Sequence, residues 1–230
     1  MDLHHQIINE IKEKYIADKS IAAMFVIGSV ARGDYSTTSD IDLILITEQE
    51  PENNFEESFV NNLVVEIKKG TVTQYQTKMK DDPMQVWQFL DAKVLFDKNE
   101  CLQALQNTAS EVLTAYTPKN MDAVLKWLSS VKIKIQSAKT VNDTAMIGYQ
   151  VSNILWKVVQ GLYETNNMPT PASTTAYRRI ASLKVLPKDF EKVWNEALTG
   201  DFAARTAATV SLINFILDTN GYNSSSNGNI

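Results

Sequence analysis

Cysteine is nearly absent from this chain: one residue, Cys101, in 230. A single thiol permits no internal disulfide and no cysteine-based metal site. Long apolar runs are missing as well. Stretches such as Ala22–Ser29 fall far short of the roughly 20 apolar residues that span a bilayer. The opening MDLHHQIINEIKEKY mixes charge with apolar residues and has no unbroken apolar core of the secretory type, so a cytoplasmic protein is expected. Nor is there a basic surplus. Lysine and arginine total 22 against 27 acidic residues, a formal net charge of -5, which argues against a duplex-binding footprint. What remains is ordinary for a soluble globular protein: 44% hydrophobic and 21% charged residues. The length suits one large domain or two modest ones.

The two halves read differently. Ile7, Ile8, Ile11, Tyr15 and Ile16 recur at helical spacing and predict a helix over residues 3–17. Short β-rich runs predict strands at residues 22–27, 41–47, 63–67 and 93–96, with a polar loop around Pro51–Asn54 and a helix from Pro83 to Leu90. Helices interleaved with strands predict an α+β domain, a mixed sheet covered by helices, over residues 1–98. From residue 99 the pattern turns helical. Val124, Leu128, Val131 and Ile135 form one apolar stripe, and Ile147, Val151, Ile154, Val158 and Leu162 a second. Further stripes fall at Phe190–Ala197 and Ala207–Leu217, so residues 99–220 are expected to be an all-α helical bundle. Trp127, Trp156 and Trp194 lie within these stripes and are expected to be core anchors. The tail, residues 221–230, is expected to be disordered. His4 and His5 are expected to be solvated on the first helix, and Cys101 to be a small buried residue.

The informative stretch is GSVARGDYSTTSDIDL, residues 28–43. It begins where a strand ends and a short helix should start, a place where free N–H groups can meet an anion. Gly28 would let the backbone approach a phosphate closely, and Ser29 adds a hydroxyl donor. The stretch is neither a Walker A loop nor the Gly-x-Gly-x-x-Gly dinucleotide fingerprint. Asp40 and Asp42 are spaced i, i+2, which on a strand puts both carboxylates on one face. Two such carboxylates repel unless a cation lies between them, and hard oxygen ligands suit Mg²⁺. Glu66 interrupts the apolar run Leu63–Ile67 and supplies a third carboxylate, as second-metal ligand or as general base.

These residues resemble the signature of DNA polymerase beta-like nucleotidyltransferases: Gly-Ser, then Arg-Gly, then Ser-Asp-x-Asp. The match falls at Gly28, Ser29, Arg32, Gly33, Ser39, Asp40 and Asp42, and Glu66 resembles the third acidic position. The resemblance covers residues 20–97. It implies a nucleotidyltransferase-type sheet, Asp40 and Asp42 as metal ligands, Glu66 as the third catalytic carboxylate, and Gly28, Ser29, Arg32 and Ser39 at the nucleotide. The following bundle is similar to that of aminoglycoside nucleotidyltransferases. Where the streptomycin/spectinomycin branch carries a lysine directed at the triphosphate, this sequence has Thr175, followed by Arg178, Arg179 and Lys184.

The implied function is Mg²⁺-dependent transfer of a nucleoside monophosphate, AMP from ATP, onto a hydroxyl of a small molecule such as an aminoglycoside-like antibiotic. The alternatives are a protein-modifying nucleotidyltransferase of antitoxin type and a non-catalytic nucleotide-binding module. Neither a membrane nor duplex nucleic acid is an expected partner.

Overall fold

The computed structural model describes residues 2–222. The chain folds as two compact units that divide between Ala115 and Tyr116. The division falls one helix later than the boundary expected at residue 98, because the helix after that point packs with the first unit. Residues 223–230, most of the expected disordered tail, lie outside the described residues.

In the first unit, strands β1 (Ile21–Ile27), β2 (Ile41–Thr47), β3 (Phe55–Val60), β4 (Leu63–Gly70) and β5 (Lys93–Asp97) form one sheet in the order β3-β4-β2-β1-β5. Only β2 and β4 pair in parallel, so the sheet is mixed, as expected. Every residue of β1 is buried, since helices lie against both faces at the sheet's centre. Helix α1 (Leu3–Ile16) sets Ile7 and Ile8 into a core with Met24, Val26, Leu43, Leu45 and Val65. Each such side chain contributes roughly 1.5–3 kcal/mol on burial. The alternate residues of β1 and β2, including Phe25 and Ile44, belong to the opposite face.

Two elements of this unit are not evident from the sequence. Strand β3 joins β4 through Asn61-Asn62, both at positive φ, the conformation that a two-residue hairpin turn requires. Helix α3 (Val72–Asp81) starts at a capping box, in which the Thr71 hydroxyl accepts from the Gln74 N–H and the Gln74 side chain accepts from the Thr71 N–H. It buries only Tyr75 and Met79. The helix expected from Pro83 is a 3₁₀ turn, Pro83–Gln85, followed by α4 (Val86–Leu90). Helix α5 (Cys101–Ala115) is capped by Asp97, whose carboxylate accepts from the Cys101 and Leu102 N–H groups at 2.9 Å each. Cys101 is buried as expected, and burial with the nearby Asp97 charge pushes its thiol pKa up to about 11, leaving it unreactive.

The second unit is helical: α6 (Met121–Thr140), α7 (Thr144–Thr165), α8 (Ser173–Arg179), α9 (Phe190–Thr199) and α10 (Phe202–Thr219). The stripes expected on α6 and α7 are buried. Gly161 permits the close approach of α7 to its neighbours: a Cβ there would meet Ile216 of α10 at 3.0 Å and Leu128 of α6 at 3.3 Å. The buried face of α10 runs through Thr209, Leu212, Ile213 and Ile216. Two expected core anchors are not in the core. Trp127 and Trp156 are 58% and 43% exposed, because each sits beside the buried stripe of its helix rather than in it. Trp194 is half-buried and stacks on Phe190, with ring centroids 6.0 Å apart. No described helix is long and apolar enough to cross a membrane.

Candidate active site

β1 ends at Ile27, and the chain turns directly into the five-residue helix α2 (Gly28–Arg32). The turn needs glycine twice over. Gly28 adopts φ +68°, and a Cβ there would lie 2.5 Å from Asp42 Oδ2. Asp42 is therefore tucked beneath the Gly28 backbone, an approach that only a residue without a side chain permits. At the other end of α2, Gly33 takes the left-handed conformation at φ +81° and returns its N–H to the Ser29 carbonyl at 2.9 Å. The Ser29 hydroxyl has no hydrogen-bond partner among the described residues and is available at the turn.

The expected carboxylates are placed by strand register. Asp42 is opposite Ile27 on β1 and opposite Glu66 on β4, so Asp42 and Glu66 share one face of the sheet. Their side chains are 20% and 27% exposed. Asp40 precedes β2, is exposed, and has no ion-pair partner among the described residues. Two charged residues join them that were not singled out from the sequence. Lys68 Nζ lies 3.2 Å from Asp42 Oδ1 and 3.4 Å from Glu66 Oε2. Glu57 on β3 is the register partner of Glu66 from the other side. Lys68 was legible, since it follows Glu66 by two residues and must share its face. Glu57 was not, because no strand was expected over the residues that form β3.

Arg32 and Ser39 lie elsewhere in this arrangement. The largely buried Arg32 guanidinium faces Asp34 at 3.4 Å and Asp91 at 3.8 Å, tying the exit of α2 to the end of α4. The Ser39 hydroxyl accepts from the Ser36 N–H at 2.9 Å, closing the loop that leads into β2. The Ser39 carbonyl is held by His4, which is buried rather than solvated: Nε2 donates to it at 2.8 Å, and the ring packs on Tyr35 at 4.7 Å. His4 thus anchors the residue directly before Asp40. His5 is exposed, as expected, and pairs with Asp2.

A cavity of about 370 Å³ opens beside Lys68, lined by Phe55, Tyr75, Lys78, Gln85 and Gln88 among others. Another, of about 710 Å³ near Ser20, Glu48 and Glu52, contains none of the expected site residues.

The donor chemistry fits Mg²⁺. Asp40 and Asp42 offer hard oxygens on either side of Ile41, and Mg²⁺ takes one or two protein carboxylates, completing its shell with water and phosphate. Among the described residues, no group of three or more His, Cys, Asp or Glu side chains is arranged to hold a metal ion on its own.

The family model described as polymerase beta, nucleotidyltransferase matches residues 9–101. Residues 9–101 therefore carry a domain of the polymerase beta nucleotidyltransferase type. The match spans all five strands of the nucleotidyltransferase-type domain and ends at the start of α5. No curated protein matches the chain. Among solved structures it is similar to a nucleotidyltransferase-like protein from Exiguobacterium sibiricum, at 12% identity over 94% of this chain and 76% of that one, with a TM-score of 0.39.

Proposed function

We propose that this chain is a Mg²⁺-dependent nucleotidyltransferase that moves AMP from ATP to a hydroxyl group of a small molecule. The observation that carries the reading is the seating of Asp42 under the Gly28 turn and opposite Glu66, within a domain of the nucleotidyltransferase type. Asp40 and Asp42 would hold Mg²⁺, which neutralises charge on the triphosphate when bound. The Gly28–Ser29 turn receives the β- and γ-phosphates through backbone N–H groups and the Ser29 hydroxyl. Glu66 accepts the proton of the acceptor hydroxyl. The acceptor oxygen bonds to the α-phosphorus as the bond from that phosphorus to the bridging oxygen breaks, and pyrophosphate leaves. Alignment and electrostatic complementarity supply most of the acceleration, with no covalent enzyme intermediate.

Asp42, Glu66 and Glu57 form a row of carboxylates across three strands, and this favours a cationic acceptor of the aminoglycoside type. The test is a panel of cationic, neutral and anionic hydroxyl compounds incubated with the protein, ATP and Mg²⁺, following pyrophosphate release. Acceptor-dependent release supports the reading. Release only with a protein acceptor would move it to the antitoxin-type class. A folded protein that binds ATP and releases nothing with any acceptor would make it a nucleotide-binding module.

A further inference from the structure

Asp42 and Glu66 are direct partners in a parallel pairing, and both point to the same face. Like charges so placed repel, and here each side chain is mostly withdrawn from solvent, where screening is weaker. Glu57 extends the row on the far side of Glu66. One ammonium group answers this concentration of negative charge. Lys68 Nζ reaches both Asp42 Oδ1, at 3.2 Å, and Glu66 Oε2, at 3.4 Å. Its side chain is 37% exposed and lines the cavity shared with Phe55, Tyr75, Lys78 and Gln88, so a flexible four-carbon stem has room to move away from the carboxylates.

We propose that Lys68 is a built-in counter-ion that competes with the divalent cation for Asp42 and sets how tightly the bare site binds metal. This rests on the nucleotidyl-transfer reading for the identity of the cation and for Asp42 as its ligand. While no metal is bound, Lys68 holds Asp42 and Glu66 in register against their repulsion. When a divalent cation takes Asp42, Lys68 withdraws from that carboxylate. The competition disfavours metal binding without nucleotide, because the incoming charge must displace one already in place. It thereby couples metal entry to the arrival of a triphosphate that brings further ligands.

The experiment is a Mn²⁺ titration of the full chain without nucleotide, reading free Mn²⁺ by electron paramagnetic resonance. Wild type is compared with Lys68→Met, which keeps most of the stem and removes the charge, and with Lys68→Arg, which keeps the charge. Lys68→Met should bind Mn²⁺ more tightly by on the order of tenfold, the effect of removing one adjacent like charge from a partly exposed site. Lys68→Arg should stay near wild type. Adding Asp42→Asn to Lys68→Met should abolish the gain. In low salt without cation, Lys68→Met should also melt below wild type and recover on adding Mn²⁺. Lys68→Gln repeats the neutral substitution if the methionine variant does not fold. Equal or weaker Mn²⁺ binding by the neutral variants overturns the proposal, as does an equal gain in Lys68→Arg or no binding by any of these proteins. Failure of the nucleotidyl-transfer reading looks different: wild type would release no pyrophosphate while the Mn²⁺ titration still separated the variants.

Discussion

Glu66 on β4 and Glu164 on α7 are both carboxylates drawn into the protein, one in each unit, and their surroundings differ in kind. Glu66 has the Lys68 ammonium at 3.4 Å. Glu164 is 8% exposed, and its Oε2 has no hydrogen-bond partner among the described residues. Burial pushes the Glu164 pKa up, and the charge of Lys157 offsets this only in part. Lys157 is two helical turns away and donates to Gln160 Oε1 at 2.7 Å. On a strand, the residue two positions on returns to the same face, so a lysine there meets the same neighbours. On α7 the residue one turn before Glu164 is Gln160, which carries no charge. Register supplies the sheet carboxylate with a counter-ion, while the helical one is left with the cost of its burial. Glu66 is paired and Glu164 is tolerated.

Four substitutions probe that contrast. The largest effect belongs to Asp42→Asn, which should abolish nucleotidyl transfer while the protein still unfolds cooperatively near the wild-type temperature. Activity measured beside thermal unfolding checks it, and activity lost only in proportion to folded protein would make Asp42 structural. Next is Glu66→Gln. If Glu66 is the base, turnover should fall by on the order of 10²- to 10⁴-fold with nucleotide affinity nearly unchanged. Weaker Mg²⁺-dependent nucleotide binding, with part of the rate recovered by excess Mg²⁺, would instead assign it to the metal.

Gly28→Ala tests the seat of Asp42. The new methyl group meets a carboxylate oxygen at a positive φ, so stability should drop by about 1–2 kcal/mol or more. Chemical denaturation reads this, and Asp42→Ala in the same chain should recover part of the loss by clearing the contact. The smallest effect is on the other side of the comparison. A raised carboxyl pKa means that ionising Glu164 costs the folded state, so its penalty grows as pH rises above the usual value of 4.5. Glu164→Gln should therefore melt a few degrees above wild type near pH 7.5, with the gap closing as pH falls toward 4.5. A pH-independent difference would place the effect in packing rather than in charge.

Strand β2 matches its expected bounds to the residue and β1 to within one, because a central strand announces itself as a dense apolar run. Strand β4 continues three residues past its expected end, where Lys68-Lys69-Gly70 leave the apolar run. Strand β3 escaped because it is an edge: Phe55 and Phe59 are exposed, and its remaining residues follow no apolar alternation. Helix α3 escaped for a similar reason, having only two buried side chains in ten residues. Trp127 and Trp156 were assigned to the core on spacing, yet a stripe one residue wide decides burial, and both fall outside it.

What the sequence alone determined is local. A glycine ending a strand, a second glycine closing the short helix, and carboxylates two apart at the next strand all express φ preferences and the two-residue period of a strand, which act within a few residues of chain. What the tertiary structure decided is the pairing of charges. Arg32 faces Asp91, His4 holds Ser39, and Lys68 reaches back to Asp42, contacts separated by 59, 35 and 26 positions respectively. No periodicity links residues so far apart. They meet because β4 aligns beside β2, because α1 folds back onto the sheet, and because α4 ends beside α2. An ion pair forms where the backbone brings opposite charges together, so which residue neutralises which was decided only when the strands found their register.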